Sequence, residues 1–258
     1  MLKDALKRAL EKSGYQVRKK SPLYRELETE AAAEIATIRP YTMLSQERLL
    51  TLYDQVRFCE HTGLPGCYVE CGVWKGGSVG LMALANLRYG RTRRMIHLFD
   101  SFQEICEPDV LVDGARAVNE VKKHSTGGVS GKLQPLTGIY DSFGGPGTLE
   151  GNKDLLEGVI GYDPGFLQYH QGWFQETLPL VKDIGEIAIL RLDGDWYAST
   201  KVCLEHLYDK VVTGGFIIID DYGAYDGCRK AVDEFIRDNG IKAYLSYVDM
   251  DCRYWIKQ

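Results

Sequence analysis

Two apolar runs of this sequence end in clustered acids. Leu190-Arg191-Leu192-Asp193-Gly194-Asp195-Trp196 closes with D-x-D, and Phe216-Ile217-Ile218-Ile219-Asp220-Asp221-Tyr222 closes with D-D. As strands, both carry their acids at the C-terminal end, so adjacent places in one sheet would bring three or four carboxylates together. Unpaired carboxylates at such range repel, and some stay protonated. A divalent cation removes that penalty. Oxygen ligands with no His or Cys beside them select a hard ion, Mg2+ first, with Mn2+ or Ca2+ as substitutes. The structural alternative is that Asp193 and Asp221 cap the helices that follow. In an extended strand Asp193 and Asp195 point to the same side, so one can bind metal while the other stays free for proton transfer. A sugar or phenol hydroxyl held there becomes a better nucleophile.

A glycine turn supplies the second signal. Tyr68-Val69-Glu70-Cys71-Gly72-Val73-Trp74-Lys75-Gly76-Gly77-Ser78 passes from a strand through G-x-x-x-G-G into a helix, where open α/β sheets bind their ligands. The spacing is neither the G-x-G-x-x-G of a dinucleotide site nor a P-loop ending in G-K-[ST]. Glu70 would repel phosphate but suits a cation, and S-adenosylmethionine carries a sulfonium and an ammonium. Asp100, directly after the second strand, is placed to take two ribose hydroxyls; otherwise it caps a helix beside a structural turn. With an activated hydroxyl in line with the sulfonium methyl, transfer is largely a matter of positioning.

The surrounding elements have an α/β rhythm. Strands are expected at 67–71, 95–99, 166–170, 186–193 and 214–220, alternating with helices over 77–89, 174–182, 197–211 and 225–239. A helix over 45–62, capped by Ser45 and stopped by Gly63, precedes them. Such βαβ units imply a mostly parallel sheet. Two last strands near 243–249 and 252–257 follow each other without a helix, so one pair there is antiparallel. Residues 103–165 contain no clear strand, and 127–151 hold eight glycines and two prolines; a segment like that is read as a lid over the substrate or a mobile insertion. The division expected is a helical segment over 1–63, acting as a cap with possible dimer contacts, and a catalytic domain over 64–258 carrying the insertion.

Composition narrows the class. Among 258 residues, 31 Lys+Arg stand against 36 Asp+Glu, and the net charge of −5 argues against a sequence-independent nucleic-acid binder. No apolar run reaches the ~18 residues of a membrane span. The opening MLKDALKRALEKSG carries charges where a secretory signal needs an unbroken apolar core. Seven scattered cysteines point to reduced thiols and a cytoplasmic location. Cys67 and Cys71 share a C-x3-C spacing but fall in a strand, as buried thiols. The basic first twenty residues read as a solvated amphipathic helix, which with its neighbour could serve a homo-oligomer interface.

The motifs PGCYVECGVWKGGS, LFDSF, QGWFQETLP, LRLDGDWYAST and GGFIIIDDYG together resemble the TylF/macrocin O-methyltransferase family, whose members include mycinamicin and novobiocin sugar methyltransferases. The resemblance runs from about Pro40 to Phe235. It implies a Rossmann-like class I methyltransferase fold, S-adenosylmethionine, Mg2+ and a sugar hydroxyl of a natural product, glycoside or nucleotide-sugar as acceptor. It also implies metal ligation by Asp193, Asp220 and Asp221, with Asp195 as general base. Glu70, Gly72, Ser78, Asp100 and Ser101 fall on its cofactor motifs, Gly172 and Trp173 near the adenine, and Thr42 and Met43 on a segment that closes over the cofactor. The D-S-F motif continues here as Gln103-Glu104-Ile105-Cys106 instead of a Gly-Leu-Pro-like turn.

Other residues enter as alternatives. His170 and His124 could replace Asp195 as base, though His170 reads better as a rim residue beside the adenine. Trp196 and Tyr197 could stack on a sugar or pack the next helix. A catechol-like phenol would satisfy the same chemistry as a sugar. A metal-dependent hydrolase or phosphotransferase is the rival from another class; it would not need Glu70 or the glycine turn.

Overall fold

The computed structural model describes residues 22–258. The amphipathic helix expected over the first twenty residues therefore lies outside the described residues. The chain enters through helices α1 (Pro22–Glu30), α2 (Ala32–Ile38) and α3 (Gln46–Thr62). Ser45 caps α3 by accepting from the Arg48 N–H at 3.2 Å, and Gly63, at φ 66°, ends it in the left-handed region.

Strands and helices then alternate: β1 (Cys67–Cys71), α4 (Gly77–Tyr89), β2 (Ile96–Asp100), α5 (Gly114–His124), α6 (Leu149–Lys153), β3 (Leu167–Gln171), α7 (Phe174–Thr177), β4 (Ile187–Leu192), α8 (Tyr197–Leu207), β5 (Val211–Ile219) and α9 (Asp226–Asp238). Strands β6 (Ser246–Tyr247) and β7 (Arg253–Ile256) complete a seven-stranded sheet in the order β3-β2-β1-β4-β5-β7-β6. The first five strands in that order are parallel, and β7 runs antiparallel to β5. This is the Rossmann-like class I methyltransferase architecture. Central strands such as Ile187–Leu192 are buried along their whole length, which is why they read as unbroken apolar runs. One face is covered by α2, α3 and α4 through Ile38, Leu49, Tyr53 and Met82; the other by α8 and α9 through Cys203, Leu204 and Val232. All seven cysteines are free and buried.

Two differences from the sequence reading bear on the site. The helix expected over 174–182 stops at Thr177 and passes into a single tight turn at Leu178–Leu180, because Pro179 cannot continue it. The 103–165 segment lacks strands but is well organised. Helix α5 buries Ala117, Val118 and Val121. Glu107, 4 % exposed, holds the glycine-rich stretch by accepting from the Gly128 N–H at 3.0 Å, from the Ser130 hydroxyl at 2.6 Å and from Gln134.

Candidate active site

The ends of β1, β2, β4 and β5 and the 103–165 segment enclose a cavity of about 480 Å3. Twelve of the thirteen residues singled out from sequence line it: Thr42, Met43, Gly72, Ser78, Asp100, Ser101, Gly172, Trp173, Asp193, Asp195, Asp220 and Asp221. Glu70 does not. It is fully buried beneath the turn, where it accepts from Ser78 Oγ at 2.6 Å and pairs with Arg191. In this arrangement Glu70 supports the turn from beneath through Ser78 and Arg191. Asp100 also has work of its own: one oxygen accepts from the N–H groups of Val73 and Trp74 at 2.6 and 3.0 Å, the other from Phe102 at 2.7 Å. It ties the glycine turn to β2.

The acids do not meet in the way an extended strand would bring them together. β4 ends at Leu192, and Asp195 sits at φ 55° in the left-handed region. That turn swings its carboxylate back, so Asp193, Asp195 and Asp221 offer oxygens all within 4.8 Å of one another. Asp220 stands outside this group. Arg191 holds one of its oxygens at 2.5 Å and Arg48 the other at 2.5 Å, so it is shared between two guanidiniums. Arg191 also bonds Asp193 at 2.9 Å. Helix capping, the alternative use for these acids, is not what they do: the N-cap positions of α8 and α9 are Trp196 and Tyr225, which make no side-chain cap. Non-glycine residues at positive φ among the described residues are Trp74, Phe102 and Asp195. Each lies just past a strand at this rim, at a typical cost of ~1–3 kcal/mol.

Burial dominates the electrostatics. It raises Asp195 and Asp221 well above the usual carboxylate range, and the neighbouring acids add to the shift. It pushes Asp220 up to about 6 and Glu70 up to about 7, against the pull of Arg191. Asp221 Oδ2 is buried without a hydrogen-bond partner, the kind of orphan a native site has to explain.

The histidines separate. His124, at the end of α5, lines the cavity; His170 does not, being stacked on Phe99 at 4.0 Å and bonded to His97 at 3.0 Å. Trp196 is buried on the wall with its Nε1–H donating to Cys106 O at 2.9 Å, while Tyr197 turns away to Glu234. Sequence reasoning missed Arg48, Glu120, Tyr140 and Tyr225, which also line the cavity. It missed Asp113 too, whose carboxylate accepts the first free N–H of α8, Tyr197, at 2.7 Å. Asp113 comes from the insertion, so the insertion braces the helix that follows the D-G-D turn.

A sequence profile described as Macrocin-O-methyltransferase (TylF) matches residues 1–134 and 158–257 of the chain. The chain belongs to this family. It is an S-adenosylmethionine-dependent O-methyltransferase, and the hydrolase alternative falls with that assignment. Among curated relatives, it is 34% identical over 220 residues to the 8-demethyl-8-(2,3-dimethoxy-alpha-L-rhamnosyl)-tetracenomycin-C 4'-O-methyltransferase of Streptomyces olivaceus, covering 83% of this chain and 75% of that protein. It is 34% identical over 215 residues to the demethyldecarbamoylnovobiocin O-methyltransferase of Streptomyces niveus, with the same coverage. The solved structure of the O-methyltransferase NovP superposes with a TM-score of 0.65 at 32% identity, over 84% of this chain and 82% of that one.

The cavity of this family member fits the groups its chemistry calls for. Its volume is in the range of small-molecule sites, about 300–1,000 Å3, and Trp74, Tyr140 and Trp173 give it aromatic walls. The acid cluster is all oxygen, crowded and partly unpartnered, which suits a hard divalent cation. Among the described residues no helix is long and apolar enough to cross a membrane.

Proposed function

We propose that this methyltransferase acts on a sugar hydroxyl of a natural product, glycoside or nucleotide-sugar and depends on Mg2+. The observation that carries the reading is the convergence of Asp193, Asp195 and Asp221 inside the cavity, with one Asp221 oxygen unpartnered. The names of the relatives above, one of them a rhamnosyl 4'-O-methyltransferase, support a sugar-bearing acceptor. S-adenosylmethionine, when bound, supplies an electrophilic methyl group on its sulfonium. Mg2+, when bound, supplies charge that acidifies and orients the acceptor hydroxyl.

The chain's own residues do the rest. Asp193 and Asp221 would hold the ion; Asp220 could join them only by giving up one of its two arginines. Asp195, raised by burial and by its neighbours, is the proton acceptor: its carboxylate takes the hydroxyl proton as the oxygen attacks. Glu70, Arg191 and Asp100 keep the turn and the acid cluster in register. The walls of Trp74, Tyr140 and Trp173 exclude water from the transfer. Residues of the insertion, Glu120 and His124 among them, face the same cavity and form the acceptor side.

Incubation with labelled S-adenosylmethionine and parallel panels of rhamnosides and catechols, with Mg2+ and with a chelator, tests this. Label is expected in a sugar product only when Mg2+ is present. Transfer to catechols alone, or undiminished transfer in chelator, would overturn it.

A further inference from the structure

Arg48 joins parts of the molecule that are far apart in sequence. It lies in the first turn of α3, directly after Tyr41–Leu44, all four of which line the cavity. Its guanidinium donates to Asp220 Oδ2 at 2.5 Å and to Asp249 at 2.7 and 3.2 Å, and faces Asp251 at 3.5 Å. Asp249 also accepts from the Ser45 hydroxyl at 3.0 Å, so the cap of α3 and the loop before β7 are fastened to one carboxylate. Three segments thus meet on one side chain: the stretch that lines the cofactor end, the end of β5 with its two acids, and the 249–251 loop. Among the described residues lining the cavity, Arg48 is the only lysine or arginine. Behind it lies a hollow of about 10 Å3 lined by Arg191, Asp220 and Gln55 as well, and the Gln55 amide is buried without a partner. That is about the room one water needs, so the guanidinium is not wedged in place by solid packing.

We propose that Arg48 is a positioning residue that couples the cofactor end of the cavity to its carboxylate end, so that each ligand raises affinity for the other. This rests on the reading that S-adenosylmethionine and Mg2+ bind there. A cofactor resting against Thr42 and Met43 orders the segment before α3 and with it the first turn of the helix. The Arg48 guanidinium is then fixed on Asp220, and the neighbouring Asp221 loses orientations that do not suit a cation. The second ligand meets a site already arranged, which is positive coupling through ordering. Linkage requires the effect to be equal in both directions.

The test is calorimetric titration of the full chain with S-adenosylhomocysteine, in millimolar Mg2+ and in chelator. Wild type should bind at least about fivefold more tightly with Mg2+, the lower end of ordinary coupling, and Mg2+ titrated with and without S-adenosylhomocysteine should give the same factor. Arg48→Met should still bind S-adenosylhomocysteine in chelator but lose the Mg2+ effect. Arg48→Lys keeps the charge without the planar two-sided grip and should recover only part of it. A merely structural defect would weaken binding under both conditions and leave their ratio alone, so an unchanged ratio in Arg48→Met overturns the proposal. So does a wild type that binds both ligands independently. If Arg48→Met does not fold, Asp249→Asn removes one anchor of the guanidinium, and an undiminished ratio there overturns it equally. A wild type that binds neither ligand would instead remove the cofactor and metal reading itself, and the coupling with it.

Discussion

Gly72 lies against the backbone of Asp193: a Cβ on Gly72 would fall 1.8 Å from the Asp193 carbonyl oxygen, and the Asp193 N–H donates to Cys71 O at 2.8 Å. The glycine turn on the cavity wall and the strand end that starts the acid cluster are therefore one piece of backbone contact. Gly72 also sits at φ 91°, where a side chain is strained. Gly72→Ala has to push β4 away, at an expected cost of ~2–4 kcal/mol in stability. Affinity for S-adenosylhomocysteine and kcat should fall together. Denaturant melts and calorimetry check this, and a variant matching wild type in both would show that the contact can be dispensed with.

Asp195→Asn removes the proposed proton acceptor without changing its volume. The expected loss in kcat is about 10²–10⁴-fold, the usual worth of general base catalysis, with S-adenosylhomocysteine affinity nearly unchanged. The wild-type rate should rise with pH as Asp195 loses its proton. Because burial and the neighbouring acids raise its pKa, and a cation nearby would lower it, the acid limb of kcat should move to lower pH as Mg2+ increases. An acid limb that ignores Mg2+ would count against Asp195 as the base and promote His124, the histidine on the cavity wall.

Stability should carry the same signature. Glu70, pushed up to about 7, and Asp195 and Asp221, raised by burial and by neighbouring acids, all have folded pKa values above the ~4 of an unfolded carboxylate. The stability they contribute is full below that value and is lost as pH rises through the folded one. His97 is lowered to about 4 by burial and by His170 and acts in the opposite sense below about 6.5, so the comparison belongs above that pH. In chelator, Tm should fall between pH 6.5 and 8, and Mg2+ should raise Tm more at pH 8 than at 6.5, because it binds only the ionised acids. A Tm independent of Mg2+ at pH 8 would contradict the metal reading.

The fold was legible where its causes are local. The strand Cys67–Cys71 and the helix Gly77–Tyr89 agree with the sequence reading to the residue, because an apolar run, a glycine turn and a helical period leave little freedom. The two acidic strand ends were legible for the same reason. Helix α5 was not: it begins without a side-chain cap and is followed by glycine-rich chain, so composition concealed its buried Ala117, Val118 and Val121. The extended geometry expected for Asp193 and Asp195 does not hold, because Asp195 is left-handed; aspartate tolerates that region better than most residues, but too weakly to mark it in a sequence. Arg48 and Asp220 are 172 positions apart, and no pattern in the chain joins them. Glu70 was legible as a residue suited to a cation, but its pairing with Arg191, 121 positions along the chain, was not.

That last pairing separates two accounts of Glu70 by experiment. Had it touched the cofactor, Glu70→Gln would weaken binding and leave stability alone. In the structure Glu70 is fully buried and shares Arg191 with Asp193 and Asp220. Because burial pushes the Glu70 carboxyl up to about 7, a neutral amide gives up little charge pairing near neutral pH, and Arg191 keeps two carboxylates; what it disturbs is the set of bonds to Ser78 and Arg191. Glu70→Gln is therefore expected to cost ~1–3 kcal/mol in denaturant unfolding. It should also release Ser78 and Asp193 from their present positions, weakening S-adenosylhomocysteine and Mg2+ binding together. The control is Ser78→Ala, which frees Glu70 from one hydrogen bond but leaves the ion pair, and should cost less in stability. A Glu70→Gln protein as stable as wild type but blind to S-adenosylhomocysteine would restore the direct contact and show that the carboxylate turns toward the cavity when the cofactor binds.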